Sequence, residues 1–158
     1  MRNDFIAVID SGIGGISVLN TLTKNLEGER FLYFGDNDNA PYGNKSKREL
    51  LSLTMRNIDY VKSFGVKAIV LACNTLSVNL IDEVKNYSGV AVFGIFPPIE
   101  SLVMSGGETL LLATVRTAER YVGIKGVHSV GLPTLAQISA MPFLSMPGSL
   151  GAYWYLAI

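Results

Sequence analysis

The segment "FIAVIDSGIGGISVLNTLTKNL", residues 5–26, gives the clearest indication of the fold class of this 158-residue chain. It opens with a short apolar run, 5–9, whose β-forming residues predict a buried strand. A glycine-rich turn follows, and apolar residues then recur at the spacing of one helix face, which predicts a helix over 11–26. A strand that passes through a tight turn into a helix is the repeating unit of α/β folds with parallel sheets.

The same alternation continues along the rest of the chain. A polar segment, 36–46, is dense in Asp, Asn, Gly and Pro and predicts a loop. Ser46 and Glu49 then form the capping-box pattern S-x-x-E, which predicts a helix that ends near Gly65. Further strands are expected over 30–35, 66–72, 89–95, 109–114 and 127–132, with a third helix over 74–87 for which Asn74 is the candidate N-cap. The sequence therefore predicts an α/β fold with a mainly parallel sheet and flanking helices.

Composition excludes several classes of function. The formal net charge is zero, which argues against a nucleic-acid partner because phosphate binding needs clustered Lys and Arg. A single cysteine rules out an internal disulfide and fits a reducing cytoplasm. The segment from Ser129 to Ile158 has no charged residue, but prolines keep its apolar runs below the ~18 residues of a membrane helix. Such an apolar tail predicts a covering partner, and a homodimer is one form that this could take.

The strand ends are where a parallel α/β sheet binds its ligands. Polar or reactive residues follow four of the predicted strands: Asp10 and Ser11, the Pro41–Tyr42–Gly43 loop, Cys73 to Thr75, and Thr114. The glycine-rich turn "DSGIGG", 10–15, exposes backbone amides that suit a phosphate or a carboxylate. It is not the dinucleotide fingerprint, since Ser17 stands where the third glycine belongs. The alternative is a tight turn that merely needs glycine, although the carboxylate of Asp10 then needs compensation for its desolvation.

Cys73 allows two interpretations that the local sequence leaves level. A lone cysteine is usually a small buried hydrophobe. This one, however, ends a strand and precedes a helix, and a helix N-terminus lowers a thiol's pKa and favours the thiolate. A cysteine hydrolase is the weakest hypothesis, because the only histidine, His128, has no local support as a partner of Cys73. No cluster of metal-ligand residues is evident in the sequence.

Four motifs in order carry a resemblance over about residues 5 to 121. They are "VIDSGIGGISVL" (8–19), "YFGDNDNAPYGNKS" (33–46), "AIVLACNTLS" (68–77) and "LLATVRT" (111–117). Together they resemble the glutamate racemases of the cofactor-independent aspartate/glutamate racemase family. The resemblance implies an isomerase that interconverts L- and D-glutamate and supplies D-glutamate for peptidoglycan in the bacterial cytoplasm. It implies glutamate as the substrate, and it implies neither pyridoxal phosphate nor a metal ion.

The resemblance also implies roles for individual residues. Enzymes of this family move the α-proton with two cysteines, one on each face of the substrate. Cys73 looks like the first of them, which takes the proton from D-glutamate, and Asp10 looks like the carboxylate that assists it. The positions that look like substrate-binding residues are Ser11, Pro41, Tyr42, Gly43, Asn74, Thr75 and Thr117. Thr114 is added to them because it lies at the end of a predicted strand.

The chain departs from the family in one respect that matters for chemistry. The family's second motif, Cys-Thr-His, is missing, and there is no second cysteine. The family fold has two pseudosymmetric lobes, so we expect a first lobe over 1–96 and a partial second lobe with an atypical apolar tail over 97–158, as in a truncated product. Two functions stay open: a glutamate racemase-like isomerase, or an inactive remnant or binding module for a dicarboxylic amino acid.

Overall fold

A computed structural model of the chain describes residues 4–133 and the backbone of Tyr153–Ala157. The chain divides into two compact units, Met1–Phe96 and Pro97–Ile158. No helix among the described residues has the length and apolar character needed to cross a membrane.

The first unit is a parallel four-stranded sheet with three helices. Its elements are β1 (Phe5–Asp10), α1 (Ile16–Asn25), β2 (Arg30–Gly35), α2 (Lys47–Lys62), β3 (Val66–Leu71), α3 (Asn74–Ser88) and β4 (Ala91–Gly94). The strand order is β2-β1-β3-β4, so β1 and β3 are the central strands. Short 3₁₀ turns at Asn37–Asn39 and Tyr42–Asn44 fill the connection from β2 to α2. The predicted parallel α/β architecture is confirmed.

Strand β1 shows why the sheet has two different faces. Ala7 and Ile9 point into the larger core, where they pack with apolar residues of α2 and α3. Val8 points to the other face, which is covered by α1 through Val18, Leu19 and Leu22. Helix α1 has no fully buried residue, so this second face is the more thinly covered of the two. Near-continuous apolar strands of this kind are typical of parallel sheets buried on both sides.

The second unit is smaller and has its own parallel sheet. It contains α4 (Ile99–Met104), β5 (Thr109–Ala113), α5 (Val115–Glu119), β6 (Val127–Gly131) and β7 (Tyr153–Ala157), with the strand order β6-β5-β7. Its core is formed by Ile99, Leu111, Ala113 and Ala118. Strand β7 was not predicted from the sequence, and helix α4 lies just past the expected boundary between the two lobes.

Several element boundaries differ from the predicted ones. Helix α1 begins at Ile16 and not at residue 11, because the intervening glycine turn directs its amides toward Asp10. The predicted N-cap of α3 is also wrong: Cys73 occupies the N-cap position, and Asn74 is the first helical residue. The capping box of Ser46 and Glu49 is present, with both reciprocal hydrogen bonds formed.

Candidate active site

The candidate site lies at the carboxyl ends of β1, β2 and β3. Because β1 is central, the chain segments that leave β2 and β3 run beside the end of β1. The amide of Asp36 donates to the carbonyl of Asp10 over 3.0 Å, and the amide of Ala72 donates to the carbonyl of Ile9 over 2.8 Å. The register therefore brings residues that are far apart in sequence to one edge, as the strand-end argument predicted.

The carboxylate of Asp10 is buried but well compensated. Its Oδ2 accepts hydrogen bonds of 3.1 Å from the amides of Gly12 and Gly15. Gly15 permits this arrangement, since a Cβ there would lie 2.9 Å from the Cβ of Asp10 and 2.8 Å from that of Ala72. These two amide donors supply the compensation for desolvation that the Asp10 carboxylate needs.

Cys73 lies next to this turn, and its thiol meets the hydroxyl of Ser11. The Sγ and Oγ atoms are 3.5 Å apart, and Cys73 is only 3% exposed. Burial raises the pKa of the Cys73 thiol, although the Ser11 hydroxyl and the first amides of α3 act in the opposite direction. The helix N-terminus does lower the pKa of the thiol, but desolvation raises it by more. The expectation that this position favours the thiolate is therefore wrong.

Tyr33 is a further member of the site, and it was not predicted from the sequence. Its hydroxyl donates to the carbonyl oxygen of Gly12 over 2.8 Å and lies 3.5 Å from Oδ2 of Asp10. Burial, reinforced by the nearby carboxylate of Asp10, raises the pKa of Tyr33 to about 12. The available signal was a tyrosine inside an otherwise apolar strand, since a partly buried hydroxyl usually finds a partner. We call Asp10, Ser11, Tyr33 and Cys73 the thiol cluster.

A second buried network holds the Pro41–Tyr42–Gly43 loop. The Tyr42 hydroxyl donates to Oδ2 of Asp36 over 2.5 Å, and the side-chain amide of Asn57 donates to the same oxygen over 3.0 Å. The side-chain amide of Asn39 donates to Oδ1 of Asp36 over 2.8 Å. We call Asp36, Asn39, Tyr42 and Asn57 the loop anchor.

The loop anchor changes what Tyr42 can contribute to a site. Burial raises the pKa of Tyr42, and its hydrogen bond to the Asp36 carboxylate raises it further. Burial alone would raise the pKa of Asp36, but the hydrogen bonds from Tyr42, Asn57 and Asn39 hold it below its usual value. The Tyr42 hydroxyl thus serves the fold, while Pro41 is exposed and Gly43 is buried. Asp36 directly follows the predicted strand 30–35, as Asp10 follows the first strand, whereas Asn57 gave no signal in the sequence beyond its polarity.

The start of α3 supplies the next predicted residues. Asn74 and Thr75 form its first turn, and both are buried. Ser77, which the sequence reasoning did not single out, ties this turn to the sheet. Its hydroxyl lies 3.0 Å from the carbonyl oxygen of Leu71 and 3.1 Å from that of Cys73, which share its one proton, and it accepts from the amide of Ile95 over 3.0 Å.

The remaining predicted residues belong to the second unit. Thr114 follows β5, and its hydroxyl donates to that of Thr117 over 3.1 Å. Thr117 is fully buried on α5. His128 is exposed on β6, and its Nε2 lies 2.8 Å from the carboxylate of Glu108. Within the described part of the chain, no group of three or more His, Cys, Asp or Glu side chains could hold a metal ion.

Comparisons with known proteins identify relatives of the chain. No family model matches it. The glutamate racemase of Clostridium acetobutylicum is 42% identical over 120 residues, which are 74% of this chain and 47% of that protein. Glutamate racemase 1 of Caldanaerobacter subterraneus is 36% identical over 154 residues, which are 96% of this chain and 57% of that protein.

The fold gives the same result. A crystal structure of a glutamate racemase isoform from Bacillus anthracis matches with a TM-score of 0.73 and 29% identity over 87% of this chain and 56% of that one. The chain thus spans about half the length of the relatives that it matches. By both its sequence and its fold, the chain belongs to the glutamate racemase family.

Proposed function

We propose that this chain binds glutamate and exchanges its α-proton with solvent, with Cys73 as the proton acceptor and Asp10 as the assisting carboxylate. The observation that carries the proposal is the thiol cluster itself. The Cys73 thiol, the Ser11 hydroxyl and the amide-bound carboxylate of Asp10 lie together at the edge of the sheet where a ligand is expected. The relatives of the chain are glutamate racemases. Proton transfer of this kind is general acid–base chemistry.

The proposed step conserves atoms and electrons without a cofactor. The Cys73 thiolate takes the α-proton of D-glutamate: the Cα–H bond breaks, an S–H bond forms, and the electron pair moves into the α-carbon and its carboxylate. Solvent then exchanges the thiol proton, and the thiol returns a deuteron or proton to the same face. Inversion would need an acid on the other face, and the sequence contains no second cysteine.

Substrate binding is assigned to the remaining predicted residues. A glutamate zwitterion carries two carboxylates, so it needs N–H and hydroxyl donors in a dry cleft. The proposed donors and contacts of the first unit are Ser11, the backbone of Pro41, Tyr42 and Gly43, Asn74 and Thr75. Thr114 and Thr117, on the second unit, stay predicted substrate-binding residues. In its cell the chain would act on the glutamate pool that supplies peptidoglycan precursors, in the cytoplasm.

Isotope exchange tests this proposal directly. The protein is incubated separately with D- and L-glutamate in heavy water, NMR follows loss of the α-proton signal, and circular dichroism follows inversion. We expect exchange of the D form without inversion, and loss of that exchange in Cys73→Ala. Exchange that survives in Cys73→Ala, or no exchange from folded protein, would contradict the assignment of Cys73.

A second candidate function is glutamate binding without turnover. It is favoured by the burial of Cys73, which raises the pKa of the thiol and so disfavours the thiolate. Titration calorimetry separates the two functions when it is combined with the exchange experiment. Heat of binding without exchange at any pH supports a binding module, whereas exchange that grows with pH supports proton transfer by a thiolate.

A further inference from the structure

Tyr33 stands on β2 opposite Val8 of β1 and reaches across the end of the sheet to the glycine turn. A tyrosine hydroxyl has one proton to donate. The carbonyl oxygen of Gly12, at 2.8 Å, is closer than Oδ2 of Asp10, at 3.5 Å. Tyr33 therefore bonds chiefly to the backbone of the turn and only secondarily to the carboxylate.

The residue whose carbonyl Tyr33 holds, Gly12, directly follows Ser11. The Gly12 amide is bound by Asp10, and the Gly12 carbonyl is bound by Tyr33. With both of its backbone polar groups engaged, Gly12 has little freedom to rotate. Ser11 precedes it directly, so the bond that fixes Gly12 also limits where the Ser11 hydroxyl can lie relative to the thiol of Cys73.

The close approach of the turn to β2 depends on Gly35. A Cβ at this position would overlap the carbonyl oxygen of Gly12 and would lie 3.2 Å from Cε1 of Tyr33. Since Gly35 lacks that atom, the turn can lie directly over the end of β2. The tyrosine hydroxyl and the carbonyl that it binds are thus brought together by the packing of this edge.

We infer that Tyr33 is a positioning residue for the proposed proton transfer, which fixes the Gly12 peptide and through it the Ser11 hydroxyl beside Cys73. Its role in catalysis rests on the proposed function, but its effect on the thiol is measurable without any substrate. Burial raises the pKa of Tyr33 to about 12, so its hydroxyl is protonated and able to donate throughout the neutral and mildly alkaline range.

The first test measures alkylation of the thiol. Its result can be assigned to Cys73, because the chain has only one cysteine for the reagent to modify. The rate of reaction with iodoacetamide is measured against pH in the wild-type protein, in Tyr33→Phe and in the matched control Tyr60→Phe. Tyr60 is an exposed residue of α2. The groups that face Cys73 are Asp10 from β1, Ser11 from the turn, and the hydroxyls of Tyr33 and Tyr42.

We expect Tyr33→Phe to move the alkylation midpoint upward by roughly 0.5 pH unit, about a threefold loss of thiolate at a fixed lower pH. The physical reason is that a released Ser11 no longer donates steadily to the thiolate. Tyr60→Phe should keep the wild-type midpoint. An unchanged midpoint in folded Tyr33→Phe would overturn the inference.

Ser11→Ala and the double variant test whether Tyr33 acts through Ser11. We expect Ser11→Ala to raise the midpoint as well, and Tyr33→Phe to add nothing in that background. Additive shifts would overturn the proposed route. The Tyr33→Phe change removes a single oxygen and keeps the ring in the core, while water can replace the donor at the half-exposed Gly12, so the fold is retained.

Substrate exchange supplies the independent readout. If the wild-type protein exchanges D-glutamate, Tyr33→Phe should lower kcat about tenfold and leave KM within about twofold, as expected for a group that orients the acid–base machinery. A rise in KM with unchanged kcat would contradict positioning. If the wild-type protein does not exchange glutamate, the proposed function fails, but the alkylation profiles still decide the inference about Tyr33.

Discussion

The thiol cluster and the loop anchor lie at the same edge of one sheet, and each holds a buried carboxylate in a different way. Asp36 accepts hydrogen bonds from three side chains, which come from the loop and from α2. Asp10 accepts chiefly from backbone amides of its own turn. A carboxylate bound by distant side chains ties separate elements together, whereas one bound by its own turn shapes that turn and leaves neighbouring side chains available for chemistry.

The largest difference should appear when the thiol is replaced. Cys73→Ser is expected to lower D-glutamate exchange by roughly 10³-fold, since a serine hydroxyl is a far weaker acid than a thiol. The loop anchor should be unaffected, and the denaturation midpoint in urea should stay close to that of the wild type. The comparison fails if Cys73→Ser keeps more than a tenth of the exchange rate. Parallel NMR exchange and urea titrations provide both readings.

The next effect is on the packing between the turn and β2. Gly35→Ala should reduce the free energy of unfolding by about 1–3 kcal/mol, because the added methyl overlaps the carbonyl oxygen of Gly12. Gly14→Ala is the matched control, since a Cβ there would lie 3.8 Å from Oδ2 of Asp10, an ordinary contact. Urea denaturation of both variants gives the result. Equal losses of unfolding free energy in the two variants would mean that the turn does not pack closely against β2.

Tyr42→Phe should weaken the loop anchor more than the thiol cluster. Asp36 would stay buried with one donor fewer, at a cost of about 1–3 kcal/mol in the free energy of unfolding. The alkylation midpoint of Cys73 should shift less than in Tyr33→Phe, because the Tyr42 hydroxyl donates to Asp36 and not to the thiol or to Ser11. Denaturation and alkylation are measured on the same preparations. A shift of the alkylation midpoint as large as that of Tyr33→Phe, without any loss of unfolding free energy, would show that Tyr42 belongs to the thiol cluster and not to the loop anchor.

The smallest effect is a dependence of stability on acid pH. The folded pKa of Asp36 is lowered, so the stability that it contributes is fully present above the ordinary value of about 3.9. That contribution is lost as the pH falls through the folded pKa, because the unfolded chain binds the proton first. Asp36→Asn should therefore differ most from the wild type above about pH 4, and the difference should shrink below it. Thermal denaturation across this range would contradict the prediction if the difference stayed constant.

Part of the fold could be predicted because local spacing determines it. The alternation of apolar strands with amphipathic helices predicted the parallel sheet, and Ser46 with Glu49 marked the start of α2 through a bond between residues three positions apart. Strand β7 and the start of α1 at Ile16 could not be predicted in this way. The first is defined by its pairing with β5, and the second by amides that turn toward Asp10.

For the candidate site, the spacing of strands along the chain predicts which strand ends carry polar or reactive side chains, and so which residues share an edge. The hydrogen-bond partners and pKa shifts of these groups depend on the folded structure. Burial decides the direction of the Cys73 pKa shift, and Asn57, which lies 21 residues along the chain from Asp36, helps to hold that carboxylate. Tyr33 on β2 donates to the carbonyl of Gly12, which lies in the turn after the neighbouring strand β1. Desolvation and contacts between distant residues depend on packing in three dimensions, and no local pattern of residue types records them.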